Sequence, residues 1–210
     1  TTRAARRLCA YTSHRRPLLV FGDGSDTETS LAKSGNKSRL RQLRKLGDVT
    51  FEEITDQTEF ATALAEAAAY HDARHLAVRG SAPFQNDPRK APFYLALQAT
   101  EPKLIHATAL RVGGELASFH ANMISRDEVQ MGFIAHNPAL ERLSPGKLHI
   151  LMLASLLREK GYRLLDLTPG DEAYKDRFAN DFDQVHTLAI YSDPLRRAVG
   201  AALLHLKLIF

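Results

Sequence analysis

Ser144, Pro145, Gly146 and Lys147 have the types and order of a helix start that can hold an anion. The Ser144 hydroxyl can cap the helix and Pro145 suits its first position, while Gly146 and Lys147 leave backbone N–H groups and one cation facing outward. That is the chemistry of a phosphate seat. Downstream, Asp166 lies in Leu164-Leu165-Asp166-Leu167, a short core strand that ends at Thr168-Pro169-Gly170, followed by Glu172, Tyr174 and Lys175. Ligands of open α/β sheets gather beyond such strand ends. A third group, His71-Asp72-Ala73-Arg74-His75, sets two imidazoles at i and i+4 of a helix, the ligand spacing of a zinc site. It carries Asp where the protease motif has Glu, and no third ligand is evident, so no metal is expected there.

The S-P-G helix start, the helix ended by Gly161, the strand carrying Asp166 and then G-D-E-x-Y-K with Phe178 three residues on resemble the acetyltransferase-like domain of CelD-type proteins. These are a branch of the GNAT superfamily. The resemblance extends more weakly upstream through residues 39–47, the His71 to Arg74 segment and Gly113-Gly114-Glu115, covering residues 37–191; only residues 144–175 carry it specifically. It implies an α/β (α+β) fold with a central mixed β-sheet flanked by helices, and acyl transfer from a thioester to an amine or hydroxyl in envelope or polysaccharide metabolism.

Acyl transfer needs a grip on the donor's phosphates, donors for the oxyanion, a base for the nucleophile and an acid for the departing thiolate. Ser144, Gly146 and Lys147 can supply the grip. In the resembling fold, free N–H groups of residues 132–135, including Phe133 and Ile134, would face the thioester carbonyl. Asp166, Glu172, His120 and His186 are possible bases, and Tyr174 is the natural acid with Lys175 as its electrostatic partner. Each has a structural alternative: Asp166 can cap the turn after it, Glu172 can favour a helix N-terminus, Tyr174 can pack in a core, and both histidines suit buried positions. By the same resemblance, Arg74 and His71 lie on a helix lining the acceptor cleft, where Arg74 orients an anionic group or packs. Pro145 has no N–H and stands where the R/Q-x-x-G-x-G/A phosphate loop of acetyl-CoA enzymes has its first Gly, so coenzyme A, an acyl carrier protein and, by analogy with Fem-type transferases, aminoacyl-tRNA all remain as donors. A non-catalytic binding module of the same fold is a further reading.

The elements that must place these residues follow from periodicity. Residues 37–46 read as a helix and 49–54 as a strand, and Asp56-Gln57-Thr58-Glu59 opens a helix reaching about Leu76. A short helix at 92–99 precedes three strands, 104–112, 115–124 and 128–135, joined by tight turns as an antiparallel meander. The helix after Ser144, the strand at Leu164, a helix at 172–179 and a strand at 185–191 complete the order. The strands around Val129 and Leu165 are expected to run parallel and diverge, because the intervening helix must cross over between them. Residues 1–36 read as a linker or the tail of a preceding domain, with one possible strand at 17–21. Residues 193–210 form an apolar C-terminal helix that packs on the domain or meets a membrane surface.

With 210 residues, 44% hydrophobic and 25% charged, the chain has the make-up of a globular domain able to bury a sizeable core. One cysteine, Cys9, excludes an internal disulfide and fits a reducing cytoplasm. The formal net charge of +4 is uneven: residues 1–47 hold eleven Lys and Arg against three Asp and Glu, leaving 17 basic and 21 acidic residues after them. Such a basic segment is either a solvated face on a docking helix or a contact for nucleic acid, anionic lipid or a phosphorylated substrate, and it would also suit an acidic carrier.

Overall fold

The computed structural model describes residues 9–22, 27–100, 104–170 and 173–207. Seven strands form one sheet: β1 Cys9–Val20, β2 Val49–Ile54, β3 Ile105–Val112, β4 Glu115–Ser125, β5 Glu128–His136, β6 Leu164–Asp166 and β7 Asp181–Ile190. Their spatial order is β2-β3-β4-β5-β6-β1-β7. The pair β5 and β6 is parallel and the other neighbours are antiparallel. The helices are α1 Thr27–Ala32, α2 Ser34–Arg44, α3 Gln57–Arg79, α4 Pro83–Asn86, α5 Lys90–Thr100, α6 Pro145–Glu159 and α7 Pro194–Lys207. The mixed sheet flanked by helices, the β3-β4-β5 meander and the diverging parallel pair are those read from the sequence.

Local chemistry accounts for the long elements. Asp56 caps α3 by accepting the Glu59 N–H at 2.9 Å, and Gly80 ends it in the left-handed region at φ 65°. Gly113 and Gly114, with φ of 61° and 87°, make the β3-β4 turn. Along β3 alternate residues serve opposite faces: Ala107 and Ala109 pack with Phe60, Ala63 and Leu64 of α3, whereas Leu110 and Val112 pack with Leu43 of α2 and Leu148 of α6. Beneath α6, Leu153 and Leu157 close on Val129, Leu165 and Leu167. Side chains of this size stabilise by roughly 1.5–3 kcal/mol each when fully buried.

Three expectations are corrected. Residues 9–20, read as linker or tail, form β1 inside the sheet, where Leu18, Leu19 and Val20 pair with Asp166, Leu165 and Leu164. Only Pro17, Leu18 and Leu19 of β1 are buried, and β1's other partner, β7, lies more than 160 residues away in sequence, so the local pattern reveals only the possible strand at 17–21. The helix expected at 172–179 is a turn followed by one turn of 3-10 helix, Lys175–Arg177. The strand expected at 185–191 is the longer β7, exposed along most of its length. The apolar helix at the C-terminal end is present as α7, and among the described residues no helix is long and apolar enough to cross a membrane.

Candidate functional site

The site grows from the divergence of β5 and β6. They pair through Glu128, Val129 and Gln130 opposite Leu164, Leu165 and Asp166, and beyond Gln130 β5 continues on β4 alone. At that point β5 bulges: Phe133 faces Ala121, yet Gln130 already faces Met123. Gly132 sits in the bulge, and a Cβ there would lie 2.4 Å from the Ala121 carbonyl oxygen. The bulge inverts the strand's alternation. Val129 and Met131 pack toward α6, but Phe133 and Ala135 join the α3 face and Ile134 turns toward α6.

The consequence is an unpaired backbone edge over a cleft. Ser118 Oγ donates to the Ala135 carbonyl at 3.1 Å on the β4 side, so by strand alternation Ile134 directs its N–H and carbonyl to the open side. The N-terminus of α6 closes this opening. Ser144 does not cap it through its hydroxyl, contrary to expectation, because it adopts the left-handed region at φ 52°, ψ 53°. Pro145 starts the helix, and a Cβ on Gly146 would stand 3.5 Å from His136 Nδ1. The early N–H groups of α6, with no intrahelical acceptor, therefore lie next to His136.

Two cavities meet at this edge. One, of about 320 Å³, is lined on the α6 side by Ser118, His120, Ser144, Gly146 and Lys147. The other, of about 370 Å³, is lined on the α3 side by Tyr70, His71, Arg74, His75 and Arg79. Ile134, Ala135, His136, Arg74 and Tyr174 border both.

Electrostatics differ between the two sides. Burial lowers the Lys147 pKa, and the nearby cations Arg39, Arg177 and Lys33 lower it further, so four positive groups converge beside the α6 start. His136 is held below its ordinary value by burial and by Arg74, with Glu141 pulling the other way. Beneath the cleft His120 stacks on His149 with ring centroids 3.9 Å apart, and Thr108 Oγ1 lies 2.8 Å from His149 Nε2. Burial, followed by neighbouring imidazoles, pushes His120 down to about 3 and His149 well below its usual range. Both are neutral core imidazoles.

The sequence-derived candidates scatter. Tyr174, Ser144, Gly146, Lys147, Ile134, Arg74, His71 and His120 are brought to the paired cavities. Phe133 instead packs in the core against Phe119, Phe84 and His71, since the bulge turns it to the α3 face. Asp166 lies outside the lining. Its Oδ1 accepts the Thr168 N–H at 2.7 Å and its Oδ2 faces Arg16 Nη1 at 3.3 Å, while burial raises its pKa against both pulls. The carboxylate thus holds the turn and β1. Lys175, expected as the electrostatic partner of Tyr174, is buried, donating to the Thr168 carbonyl and hydroxyl at 3.2 Å and to the Pro169 carbonyl at 3.4 Å. Tyr174 and Lys175 diverge as neighbours must, with Tyr174 taking the cleft. Glu172 lies outside the described residues. His186 is exposed on β7, 2.5 Å from the Tyr11 hydroxyl and away from the cleft.

On α3, His71 and His75 stack with centroids 4.1 Å apart, and Asp72 accepts the Phe84 and Gln85 N–H groups at 2.9 Å each. Among the described residues no group of three or more His, Cys, Asp or Glu could hold a metal ion. His136 and His149 were not singled out from the sequence, and Gly132 was included only as the start of the 132–135 stretch, not as a bulge. His136 follows an ordinary strand pattern, and its importance comes from the bulge, which no local spacing encodes.

Sequence comparison agrees with this geometry. The profile of the acetyltransferase (GNAT) domain family matches residues 33–176, so the chain belongs to that family. A comparison with curated proteins finds no match. Among solved structures, the chain is similar to the C-terminal domain of a putative lysylphosphatidylglycerol synthetase from Agrobacterium fabrum, with a TM-score of 0.60 at 15% identity over 92% of this chain and 65% of that one. The L-PGS of Bacillus licheniformis gives 0.57 at 11% identity over 93% and 66%. A Bacteroides thetaiotaomicron protein of unknown function gives 0.55 at 15% identity over 88% and 63%. These identities establish a shared fold, and the chain covers less than two thirds of each of these three structures.

Proposed function

We propose that this GNAT domain moves an acyl group from a thioester donor, coenzyme A or an acyl carrier, to an amine or hydroxyl acceptor, with the donor entering from the α6 side and the acceptor from the α3 side. The observation that carries this reading is the open edge at Ile134, set between the α6 N-terminus and Tyr174. Lys147, Lys33, Arg39 and Arg177 suit a phosphate-bearing donor. In this scheme the Ile134 N–H holds the oxyanion formed when the acceptor attacks the thioester carbonyl. His136, its pKa lowered and its position common to both cavities, takes the proton lost by the nucleophile. Tyr174 gives a proton to the sulfur as the C–S bond breaks and regains it from solvent. The CelD-type resemblance points to acceptors in envelope or polysaccharide metabolism.

Pro145 favours a second reading. It removes one N–H from the phosphate loop, which suits a donor gripped at fewer points, such as an aminoacyl ester on tRNA. Calorimetric titration with acetyl-CoA separates the two, since saturable binding that Gly146→Asp weakens at least tenfold is expected of the thioester reading. Absence of binding removes coenzyme A as the donor, and equal binding by the variant removes the α6 start as its phosphate site.

A further inference from the structure

The α3 side of the cleft carries more charge than an amine acceptor requires. Six arginines sit in ion pairs: Arg15 with Asp176, Arg16 with Asp183, Arg89 with Asp87, Arg111 with Glu52, Arg163 with Asp127 and Arg196 with Asp193. Arg74 and Arg79 line a cleft and have no salt-bridge partner among the described residues; among those residues no carboxylate lines the α3-side cavity, and Glu141 lines the adjoining one. The nearest acid in sequence, Asp72, is turned away to the Phe84 and Gln85 N–H groups. His75 registers the result: after burial, Arg79 and Arg74 are the largest influences holding its pKa down, with Lys90 adding to them. The same Arg74 lowers His136 on the opposite wall. A cavity of about 370 Å³ with a positive wall, an aromatic hydroxyl at Tyr70 and an apolar patch at Val78 is poorly suited to a bare cationic amine.

We infer that the α3-side cavity binds an acceptor bearing an anionic group, a phosphate ester, held by Arg74 and Arg79 so that its nucleophile points to His136. This rests on the acyl-transfer reading only for calling the occupant an acceptor; the anion site itself does not. Two nitrogens of one guanidinium can grip two oxygens of one phosphate, which fixes orientation as well as charge. Arg74, bordering both cavities, is the nearer to the reacting atoms, and Arg79, confined to the α3 side, marks the far end of the bound group.

The test follows the imidazole resonances of His71 and His75 by NMR in the whole chain. It is titrated separately with inorganic phosphate, with O-phosphoethanolamine and with vesicles of an anionic phospholipid, using phosphatidylcholine vesicles as reference. A saturable shift of His75 together with a rise in its apparent pKa is expected with a phosphate source. Arg74→Gln/Arg79→Gln should weaken that response at least tenfold, and Arg74→Lys/Arg79→Lys should retain most of it. A response to phosphoethanolamine identifies a soluble phosphate ester, and one confined to anionic vesicles identifies a lipid headgroup. No saturable shift from any source, or an equal shift in the Gln variant, overturns the inference. Acetyl-CoA titration of the same sample reports the donor side separately, so anion binding without acetyl-CoA binding removes coenzyme A as the donor while leaving the anion site standing.

Discussion

Tyr174 and His136 make a pair whose roles can be separated atom by atom. Tyr174→Phe removes one hydroxyl, so turnover should fall about 10²-fold or more with donor affinity unchanged; His136→Gln should cause a similar loss and abolish the acid limb of the pH–rate profile. Steady-state kinetics on the two variants check both, and parental rates in the Phe variant would return Tyr174 to a packing role. The buried imidazoles make a different prediction, about stability. His120 has a folded pKa of about 3 against an ordinary value of 6.5. Between those values the unfolded chain binds one more proton than the folded one, so the stabilisation is complete above pH 6.5 and is lost as pH falls. The loss is about 1.4 kcal/mol per pH unit for each fully neutral imidazole. Denaturant titrations from pH 7 to pH 4 should show this slope, reduced by about one proton in His120→Gln. An unchanged slope would mean His120 is protonated in the folded state.

At the scale of elements, the β5 bulge decides which side chains reach the cleft. Gly132 is required by space, since a Cβ would meet a backbone carbonyl at 2.4 Å and neither strand can yield without losing register. Gly132→Ala should therefore destabilise the fold by about 1–3 kcal/mol and abolish activity even where the protein still folds, because straightening β5 would turn Ile134 and His136 off the cleft. Circular dichroism melts and acyl-transfer assays on this variant check the two effects separately; full activity would show that the bulge does not set the site. Lys175 and Asp166 have the complementary task. They hold the turn after β6, through Thr168 and Pro169, and so fix where Tyr174 emerges.

For the whole molecule, β1 is the least expected structural member. It lies between β6 and β7, and Leu19 belongs to the cluster beneath α6. Leu19→Asp places an unpaired carboxylate in that cluster and should cost several kcal/mol, read as a lowered denaturation midpoint. A tolerated Leu19→Asp would show instead that residues 9–20 behave as a linker. The cleft itself is also a property of the whole sheet, since it exists only because β5 leaves β6 while still bound to β4.

Much of this architecture was legible in residue order because the signals are local. The Asp56 cap, the Gly113-Gly114 turn, the apolar run of α6 and its Pro-Gly start each act within one or two turns of chain, so the meander, the crossover helix and the diverging parallel strands could be read directly. The same holds for the α6 start as part of the cleft and for Tyr174 as its neighbour. What only tertiary structure decided involves groups far apart in sequence. β1 was legible only as a possible strand at 17–21, because its partners are far downstream and only Pro17, Leu18 and Leu19 are buried. Asp166 and Lys175 were drawn toward chemistry by their charges, but burial and backbone partners assign them to the turn. His136 became a cleft residue, and Phe133 a core residue, because one bulge inverts the alternation of β5, and a bulge is a relation between two strands that neither strand's sequence contains.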